Sequence, residues 1–532
     1  MDIELLDCTL RDGGYVNDWK FGKNVIWYMV NRYVKSKVDI LEVGFLDERR
    51  DFDCNRSIFP TTEAIDQIIG KVDKGTTKFV AMIDYGTCSI DNVGAKTDTI
   101  IDGIRIIFKK KNMYNALSFA DKIIEKGYFV TLQLVSITSY CDRDIIDFCE
   151  EANKRKIYAV SIVDTYGLMH REQMQHYFDL LDHNLNSEIA IGYHSHNNFQ
   201  LAYSNTIEVL KINRKRKIIL DGSAYGMGKS AGNAPIELIA MQLNENYGKE
   251  YDLTQFLEII DSCILPIYSK TPWGYALLYF LSAANNCHPK YISYLMEKAT
   301  LSVEAMNEVV KRISKEKLLD YDEKHITELY KKYQSEKWID EKTLEAIAPL
   351  FCDWETVLIA PGSSVTKEKH RVESFMKQEH ARIISVNFLP RDIAVDAVFV
   401  GNERRYSIIV NEIEKLDRKP LILATSNVTS VNDEIDYIIS AEKLFDKRSA
   451  ISDNSAAMLL NLMQLIGTKS LALIGFDGYR FGDEQDNYCG DSFSYSYSEQ
   501  RLKLVNEQMA DKINEMKQKM DIQFVTQSVY GK

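Results

Sequence analysis

Short apolar runs rich in β-branched residues recur through the first half of the chain. Segments with helical periodicity separate them, such as the apolar positions of 116–124, and this segment ends at Gly127 as a helix should. Buried strands that alternate with helices are typical of parallel β/α architecture. Eight strands close a TIM barrel, which typically needs about 250 residues. The chain offers eight such runs, at 3–8, 38–45, 78–85, 101–108, 129–136, 158–164, 189–196 and 217–223.

The pattern changes in the second half. From 253 to 350 the periodicity is helical and strand-like runs stop, and near Glu355 the alternation resumes. We predict an α/β protein in three parts: a TIM (β/α)8 barrel over 1–250, a helical extension over 251–350, and a smaller Rossmann-like α/β domain with an open, mostly parallel sheet over 351–532. The strands predicted for the last part are 356–360, 381–388, 397–401, 421–426, 437–440, 471–475 and 522–527.

Composition and charge limit the classes of function that the chain can have. The 532 residues are 45% hydrophobic and 27% charged, which is ordinary for a globular protein of at least two domains. The formal charge of -12 argues against nucleic acid as the partner. Nine cysteines without regular spacing fit reduced thiols, and the chain has no basic-then-apolar leader and no apolar run of membrane-spanning length. We expect a cytoplasmic protein without a membrane partner.

Two histidines separated by one residue end the seventh predicted strand. His194 and His196 project to the same side, because side chains alternate along a strand, and two imidazoles can hold a divalent metal. An isolated pair is equally consistent with two polar residues on a solvent-facing strand edge. The first predicted strand runs into Arg11 and Asp12. Active sites of barrels lie where strands end, so the two stretches can meet.

Asp12 would add a hard oxygen ligand to the two imidazoles, and three protein ligands leave positions open for substrate. Arg11 would aim its guanidinium into the same mouth, where it suits a carboxylate or an oxyanion. The structural alternative for both residues is a salt bridge that closes the barrel. A glycine-rich turn over 226–235 follows the eighth predicted strand, and its Asn233 is either a further ligand or a helix cap.

Three motifs, in this order on eight β/α units, resemble those of the DRE-TIM (HMGL-like) metallolyases. Over residues 1–300 the chain most resembles the 4-hydroxy-2-oxovalerate aldolases, alongside hydroxymethylglutaryl-CoA lyase. The resemblance implies a divalent metal, Mn²⁺ or Mg²⁺ ahead of Zn²⁺ or Co²⁺, bound by Asp12, His194 and His196. It implies Asn233 as a further ligand, and Arg11 as the residue that stabilises the enolate of a 2-oxo acid such as pyruvate. The motifs are Asp7-x-Thr9-Leu10-Arg11-Asp12-Gly13, His194-x-His196 and Gly232-Asn233.

The acid/base residue is left open, because the chain departs from its relatives. Tyr15 stands where the aldolases carry a histidine, just after the D-G pair. The synthases that condense acetyl-CoA carry a glutamate-glutamine pair after R-D-G, whereas this chain has Gly14-Tyr15, which argues against that reaction. Tyr15 could donate a proton to the substrate alkoxide or accept one from it, or it could simply pack over the barrel mouth. His288 and Tyr291 are further acid/base candidates.

Other residues are predicted to contact substrate because of where they stand. Glu42 lies in the second predicted strand, and Asp164 and Thr165 end the sixth, positions that are typically functional in barrels. We assign substrate binding to these three residues and to Tyr291.

The second domain has a candidate ligand site of its own. A predicted strand ends in the small-residue turn Gly362, Ser363 and Ser364, which either holds a phosphate or starts a helix. The domain faintly resembles Rossmann-like domains of bacterial surface-polysaccharide enzymes, and this implies a nucleotide-linked sugar or another phosphorylated partner. Four polar residues that follow separate predicted strands are expected at the same sheet edge: Asn387, Asn402, Asn427 and Asp477.

The sequence thus predicts a metal-dependent aldolase that makes or cleaves a 4-hydroxy-2-oxo acid through a pyruvate enolate. Its partners would be a 2-oxo acid and an aldehyde, with a nucleotide-sugar at the second domain, in surface-polysaccharide or sugar-nucleotide metabolism. We expect a homo-oligomer. The alternatives are an acyl-CoA lyase or condensing synthase on the same barrel, and a non-catalytic binding or scaffold protein.

Overall fold

A computed structural model describes residues 2–212, 216–298, 301–334, 340–378, 381–428, 435–480, 488 and 498–531. The chain divides into two compact units. The first comprises Met1–Lys290 and Leu318–Tyr321, and the second comprises Tyr291–Lys317 and Asp322–Lys532. The helical segment predicted over 251–350 is therefore divided between the two units.

Nine strands lie in the described part of the first unit, and all their pairings are parallel. They are β1 (Ile3–Asp7), β2 (Ile40–Leu46), β3 (Ile58–Phe59), β4 (Lys78–Asp84), β5 (Gly103–Phe108), β6 (Phe129–Leu134), β7 (Ala159–Asp164), β8 (Ala190–Ser195) and β9 (Ile218–Gly222).

These strands close into the predicted TIM barrel. Their order is β1-β9-β8-β7-β6-β5-β4-β2, and β1 pairs with β2 to complete the ring, while β3 lies beside β2. Each of the eight predicted strands overlaps a strand of the ring, so the barrel prediction is confirmed. The two-residue β3 was not predicted, because two apolar residues show no periodicity.

The strands are apolar along most of their length because both of their faces are covered. Every residue of β1, β2, β7, β8 and β9 is buried. The helix predicted over 116–124 is Met113–Glu125, and Gly127 follows it at φ 95°, a conformation that favours glycine. The barrel helices are Gly14–Asn17, Lys23–Lys35, Thr62–Ile69, Met113–Glu125, Asp142–Ala152, Arg171–Asn184, Ala202–Ile212 and Ile236–Tyr247.

Helices alone follow the barrel until β10, as predicted, with no strand among the described residues of this segment. None of the described helices is both long and apolar enough to cross a membrane. The helices are Leu253–Ile259, Leu265–Tyr268, Leu277–Ala284, Pro289–Lys298, Val303–Lys311, Glu323–Gln334 and Glu341–Phe351, with a π-helical turn at Ile260–Ile264.

The second unit contains the predicted open sheet, in the order β14-β13-β12-β11-β10-β15-β16, with parallel pairing throughout its described strands. The chain first builds outward on one side of β10 and then returns to its other side, so a topological switch point lies between β10 and β15. The strands are β10 (Glu355–Ile359), β11 (Ala381–Val386), β12 (Ala397–Val400), β13 (Leu421–Thr425), β14 (Tyr437–Ile439), β15 (Ser470–Ile474) and β16 (Asp521–Phe524).

Helices flank this sheet, and its apolar residues form a core separate from that of the barrel. The helix predicted over 456–466 is observed as Ser455–Leu465. The α-helices described after β10 are Ser364–Lys367, Lys369–Gln378, Glu403–Ile413, Ala441–Leu444, Ser455–Leu465 and Glu499–Lys517.

A polar cluster occupies the amino ends of several barrel strands. Glu4 is 7% exposed and accepts from Tyr158 Oη at 2.7 Å, from Lys78 Nζ at 2.5 Å and from Lys217 Nζ at 2.8 Å. Burial by itself would raise the pKa of Glu4, but the hydrogen bonds from Lys217 and Lys78 outweigh it and lower the pKa. The carboxylate therefore stabilises this end of the barrel.

Glu4→Gln should lower the free energy of unfolding at neutral pH by about 1–3 kcal/mol, because two half-buried lysines lose their shared anion. The folded-state pKa of Glu4 lies below 4.5, so this stabilisation is complete above pH 4.5 and is lost as the pH falls through the folded value. Urea unfolding of both proteins across this pH range measures the effect. The exposed Glu245→Gln is the matched control, and a difference that stays constant on acidification would contradict this account.

Candidate metal centre

Asp12, His194 and His196 converge at the carboxyl end of the barrel. Each offers one ligand atom, and these atoms lie within 4.8 Å of one another. His194 belongs to β8 and His196 follows it, while Asp12 lies in the tight turn after β1, where its N–H donates to the carbonyl of Cys8 at 2.8 Å. All three side chains are buried. The two histidines therefore do not lie on a solvent-facing strand edge.

Both histidines are held by their Nδ1 atoms. His194 Nδ1 lies 3.0 Å from Asp221 Oδ2, and His196 Nδ1 lies 2.9 Å from the carbonyl oxygen of Asp164. An Nδ1–H that donates to these oxygens leaves Nε2 with a lone pair that can bind a metal. Burial lowers the pKa of His194 despite the pull of Asp221, which favours the neutral imidazole that metal binding requires. His196 Nε2 is buried and has no hydrogen-bond partner among the described residues.

Asp12 and Asn233 are the candidate oxygen ligands. Burial would raise the pKa of Asp12, but the charge of Arg11 holds it well below its usual range, so the carboxylate is ionised. Asp12 Oδ2 accepts from Asn233 Nδ2 at 2.9 Å, and Asn233 Oδ1 is buried without a partner in the described structure. Asn233 does not cap the following helix, whose N-cap is Pro235. This set of two imidazoles, one carboxylate and one amide fits a divalent ion.

A row of buried ion pairs connects two of the candidate ligands, Asp12 and His194, and Arg11 is the first cation in it. Arg11 Nη1 donates to Asp12 Oδ1 at 2.5 Å, and its Nε donates to Glu42 Oε2 at 2.7 Å. The guanidinium also lies 5.7 Å from the ring centre of Phe45. The salt bridge between Arg11 and Asp12 is thus present, and it lies within the ligand cluster.

Arg105, on β5, continues the row. Its Nη1 lies 3.2 Å from Glu42 Oε1, and its Nη2 donates to Asp221 Oδ2 at 2.5 Å and to Gln133 Oε1 at 3.0 Å. Because Asp221 also orients His194, the row begins at one ligand and ends at another. We call it the charge row, and its members in order are Asp12, Arg11, Glu42, Arg105, Asp221 and His194.

Sequence reasoning did not single out Arg105 or Asp221, although both carried a signal. Each is a charged residue inside an otherwise apolar buried strand, β5 or β9. Charged side chains are almost never fully buried unless they are paired. Such a residue in a barrel strand therefore points to a partner inside the barrel.

Three of the residues predicted to bind substrate, Glu42, Asp164 and Thr165, are buried. Both oxygens of Glu42 face arginines, and the residue is fully buried. The Asp164 carboxylate accepts from the N–H groups of Leu168 at 2.9 Å and Met169 at 3.1 Å, and burial raises its pKa to about 6. Thr165 Oγ1 accepts from the N–H of Ser136 at 2.7 Å. Their contact with substrate stays a prediction.

The acid/base candidates are spread more widely. Tyr15 is 43% exposed, and its ring meets Trp19 edge-on at 4.8 Å between ring centres. His288 lies 5.8 Å from the ring of Tyr166, and burial, with the charges of nearby lysines, lowers its pKa to about 4. Tyr291 belongs to the second unit, is fully buried and donates to the carbonyl of Lys317 at 2.9 Å. A role for Tyr291 in substrate binding or proton transfer stays a prediction.

A lysine that sequence reasoning passed over lies beside the centre. The N–H of Lys229 donates to Asp12 Oδ2 at 3.1 Å. Its ammonium lies 5.5 Å from the ring centre of Tyr15 and 5.9 Å from that of Tyr166. The turn over 226–235 thus contributes a cation to the mouth as well as Asn233.

In the second unit, the turn after β10 lies at the switch point. Ser364 donates to Asp477 through its N–H at 2.8 Å and through its hydroxyl, and Ser363 Oγ donates to the same carboxylate at 3.4 Å. A Cβ on Gly362 would lie 2.3 Å from the carbonyl oxygen of Gly475, so the turn packs tightly. A helix begins at Ser364. Ligand binding by Gly362, Ser363 and Ser364 stays a prediction.

The three asparagines predicted at this sheet edge have local contacts. Asn402 Oδ1 accepts from the N–H of Arg405 at 3.3 Å and caps a helix, and Asn387 Oδ1 accepts from the N–H of Gly401 at 3.1 Å. Asn427 Oδ1 is buried without a hydrogen-bond partner among the described residues.

A buried cluster of candidate ligands for a divalent metal, at the carboxyl end of a β/α barrel, is typical of a class of metal-dependent enzymes. Residues 2–262 match the model of the HMGL-like family, and this part of the chain belongs to that family.

Individual relatives are more distant. The chain is 24% identical to an oxaloacetate decarboxylase of Mycobacterium tuberculosis, over 51% of this chain and 79% of that protein. It is 29% identical to a 4-hydroxy-2-oxovalerate aldolase of Pseudoalteromonas translucida, over 54% of this chain and 86% of that protein. A solved HMG-CoA lyase of Bacillus subtilis matches 51% of this chain and 94% of its own, at 15% identity and a TM-score of 0.40.

Asp221→Asn should weaken metal binding by about 10- to 100-fold, because His194 loses the carboxylate that orients its ring and raises its basicity. Calorimetric titration of the metal-stripped full chain with Mn²⁺ measures the affinity, and urea unfolding checks separately that the variant is folded. The exposed Asp91→Asn is the matched control. Equal affinities in the wild type and Asp221→Asn would show that the contact between Asp221 and His194 does not serve the metal.

Proposed function

We propose that the chain is a divalent-metal-dependent carbon–carbon lyase that makes or cleaves a 4-hydroxy-2-oxo acid through the enolate of pyruvate, with Mn²⁺ or Mg²⁺ as its metal. The observation that carries the proposal is the convergence of Asp12, His194 and His196 next to Arg11. The relative from Pseudoalteromonas translucida is named as an aldolase of this kind and supports the choice of reaction.

The geometry of Arg11 suits an oxo acid. Its Nε and Nη1 atoms are taken by Glu42 and Asp12, which fixes the plane of the guanidinium. Its Nη2 atom donates to no side chain or carbonyl of the described residues, so this donor is available to a substrate oxygen. A fixed, planar cation is well suited to hold a carboxylate or an enolate oxygen.

In the cleavage direction a base takes the proton of the 4-hydroxyl, the bond between C3 and C4 breaks, and its electron pair passes into the enolate while the aldehyde leaves. Arg11 stabilises the negative charge that develops on the enolate oxygens, in a site from which water is largely excluded. When bound, the divalent ion would supply a Lewis acid for the 2-oxo carbonyl. Protonation of the enolate at C3 completes pyruvate.

The two acid/base candidates at the mouth suit different steps. His288 is uncharged at neutral pH, because its pKa is about 4, so it can accept a proton. Burial and the charge of Asp12 raise the pKa of Tyr15 to about 12, so its hydroxyl keeps its proton and, in the condensation direction, can donate it to a substrate alkoxide.

A second reaction would use the same residues. The relative from Mycobacterium tuberculosis is named as an oxaloacetate decarboxylase, and loss of CO2 from oxaloacetate leaves the same pyruvate enolate. The two reactions differ only in the group that leaves C3. Rapid turnover of oxaloacetate without turnover of any 4-hydroxy-2-oxo acid would favour the decarboxylase.

The wild-type protein should exchange the C3 protons of pyruvate into D2O when Mn²⁺ or Mg²⁺ is added to the metal-stripped chain. Arg11→Lys should slow this exchange by about 100-fold, because a point charge on a flexible stem does not replace the fixed planar donor. Proton NMR of pyruvate follows the reaction. Arg143→Lys, on a side chain that is 73% exposed, is the matched control.

Two results would count against the proposal. Exchange that persists at full rate without metal would remove the role of the centre, and full exchange in Arg11→Lys would remove the role of Arg11. Absence of exchange with every metal would redirect the search to a different 2-oxo acid or to a CoA thioester.

For the second unit we propose a nucleotide-linked sugar as ligand, with a role in surface-polysaccharide or sugar-nucleotide metabolism. The position of the turn after β10 supports the proposal, because α/β sheets bind ligands at the switch point. The residues there are Ser363, Ser364 and Asp477. Asp477 accepts a hydrogen bond from the N–H of Ser364, so this N–H does not serve a phosphate. The carboxylate can accept hydrogen bonds from sugar hydroxyls, and a sugar therefore fits this turn better than a phosphate does.

We also expect the protein to be a homo-oligomer, and light scattering measures its oligomeric state.

Asp477→Ala should abolish binding of UDP-glucose to the full chain, because the acceptor for the sugar hydroxyls is removed. Saturation-transfer NMR detects the contact, and the exposed Asp417→Ala is the control. Equal signals from both variants would place the ligand elsewhere, and no signal from the wild type would count against this sugar nucleotide.

A further inference from the structure

We propose that Lys229 forms an anion-binding subsite at the mouth of the barrel, and that the aldehyde half of the substrate carries a carboxylate or a phosphate at its far end. The inference rests on the proposed function, because it names the class of the second substrate of the same site. Its evidence is the position and the charge of one side chain.

Lys229 starts directly beside the metal centre. Its N–H donates to Asp12 Oδ2 at 3.1 Å. The preceding Gly228 lies so close to the ligands that a Cβ there would meet Asn233 at 2.4 Å and Asp12 at 2.7 Å. The backbone at this point is therefore held against the centre, and the lysine side chain extends from it to the rings of Tyr15 and Tyr166.

The ammonium of Lys229 is half-buried, yet no carboxylate of the described residues lies within 4.0 Å of it. The two buried arginines of the site are both paired: Arg11 with Asp12 and Glu42, and Arg105 with Glu42 and Asp221. Removal of a cation from water without an anion is unfavourable, and the two aromatic faces offset only part of that cost. A bound anion would supply the missing partner.

The surroundings reinforce a positive charge. The exposed Lys290 lies near the mouth and acts with Lys229 to lower the pKa of His288. Lys109 is neutralised by Asp320, at 2.8 Å. Asp12 and Asp84 are the acidic groups whose charges Lys229 senses, and neither carboxylate lies within ion-pair distance of its ammonium. An anion that enters here meets a cation with no competing carboxylate in contact.

The subsite suits the aldehyde half rather than the oxo acid half. The carboxylate of the oxo acid has Arg11, deep in the site, whereas the Lys229 side chain leads toward Tyr15, which is 43% exposed. A substrate with an anion at each end would therefore place one end on Arg11 and the other on Lys229. A neutral aldehyde would leave the ammonium unpaired.

The test compares aldehydes with and without an anionic group at the far end, with pyruvate as the partner: succinic semialdehyde against butanal, and glyceraldehyde 3-phosphate against glyceraldehyde. For one or both pairs, the wild type should show a kcat/KM that is about 10- to 100-fold higher for the anionic aldehyde, as expected for a charge-assisted contact. Lys229→Met should lose this preference and Lys229→Arg should retain most of it. The exposed Lys71→Met controls for loss of one surface charge, and the pair that responds distinguishes carboxylate from phosphate.

Equal kcat/KM values for charged and neutral aldehydes in the wild type, or an undiminished preference in Lys229→Met, would overturn the subsite. Lys229→Gln replaces the methionine variant if that protein does not fold. Binding of inorganic phosphate and of acetate to the full chain, followed by the NMR line widths of these ions, needs no turnover. Line broadening that is lost in Lys229→Met supports the subsite, even if the wild type does not exchange the protons of pyruvate. Absence of that exchange would count against the proposed function and not against the subsite. Broadening that is absent for both ions, or that is unchanged in Lys229→Met, overturns the subsite.

Discussion

The charge row is the constraint on which the rest of the barrel mouth depends. Its members lie on β2, β5, β8 and β9 and in the turn after β1, and each is 5% exposed or less. A buried charge without a partner destabilises a protein by several kcal/mol, whereas a complete set of pairs is tolerated. The closed ring of strands brings these groups within reach, and the pairs in turn fix which rotamers Arg11 and His194 adopt. Fold and ligand geometry are therefore set by the same contacts.

The elements could be predicted because the signal is local. The ring strands are apolar runs of five to seven residues, and the helices between them show a clear period, so eight β/α units follow from the sequence. The convergence of Asp12 with His194 and His196 was predictable for a related reason. Strand ends of a closed barrel meet at one rim, so residues far apart in sequence become neighbours once the barrel is assumed.

The charge row could not be predicted in the same way, because it depends on the register of particular strands. Arg105 and Asp221 are 116 positions apart, and nothing in their local sequence says that β5 and β9 point these two side chains at each other. The turn that contains Lys229 also gives no local indication that the side chain lies over two tyrosine rings.

The arrangement also divides the site into residues that tolerate substitution poorly and residues that tolerate it well. Arg11 and Arg105 are each shared by two carboxylates, so replacement of either arginine leaves a buried carboxylate without a cation. The turn over 226–235 lies outside this dependency, although it contributes Asn233 and Lys229 to the same mouth. Divergence of substrate range within such a barrel, and its redesign in the laboratory, would accordingly proceed through that turn while the row behind it stays intact.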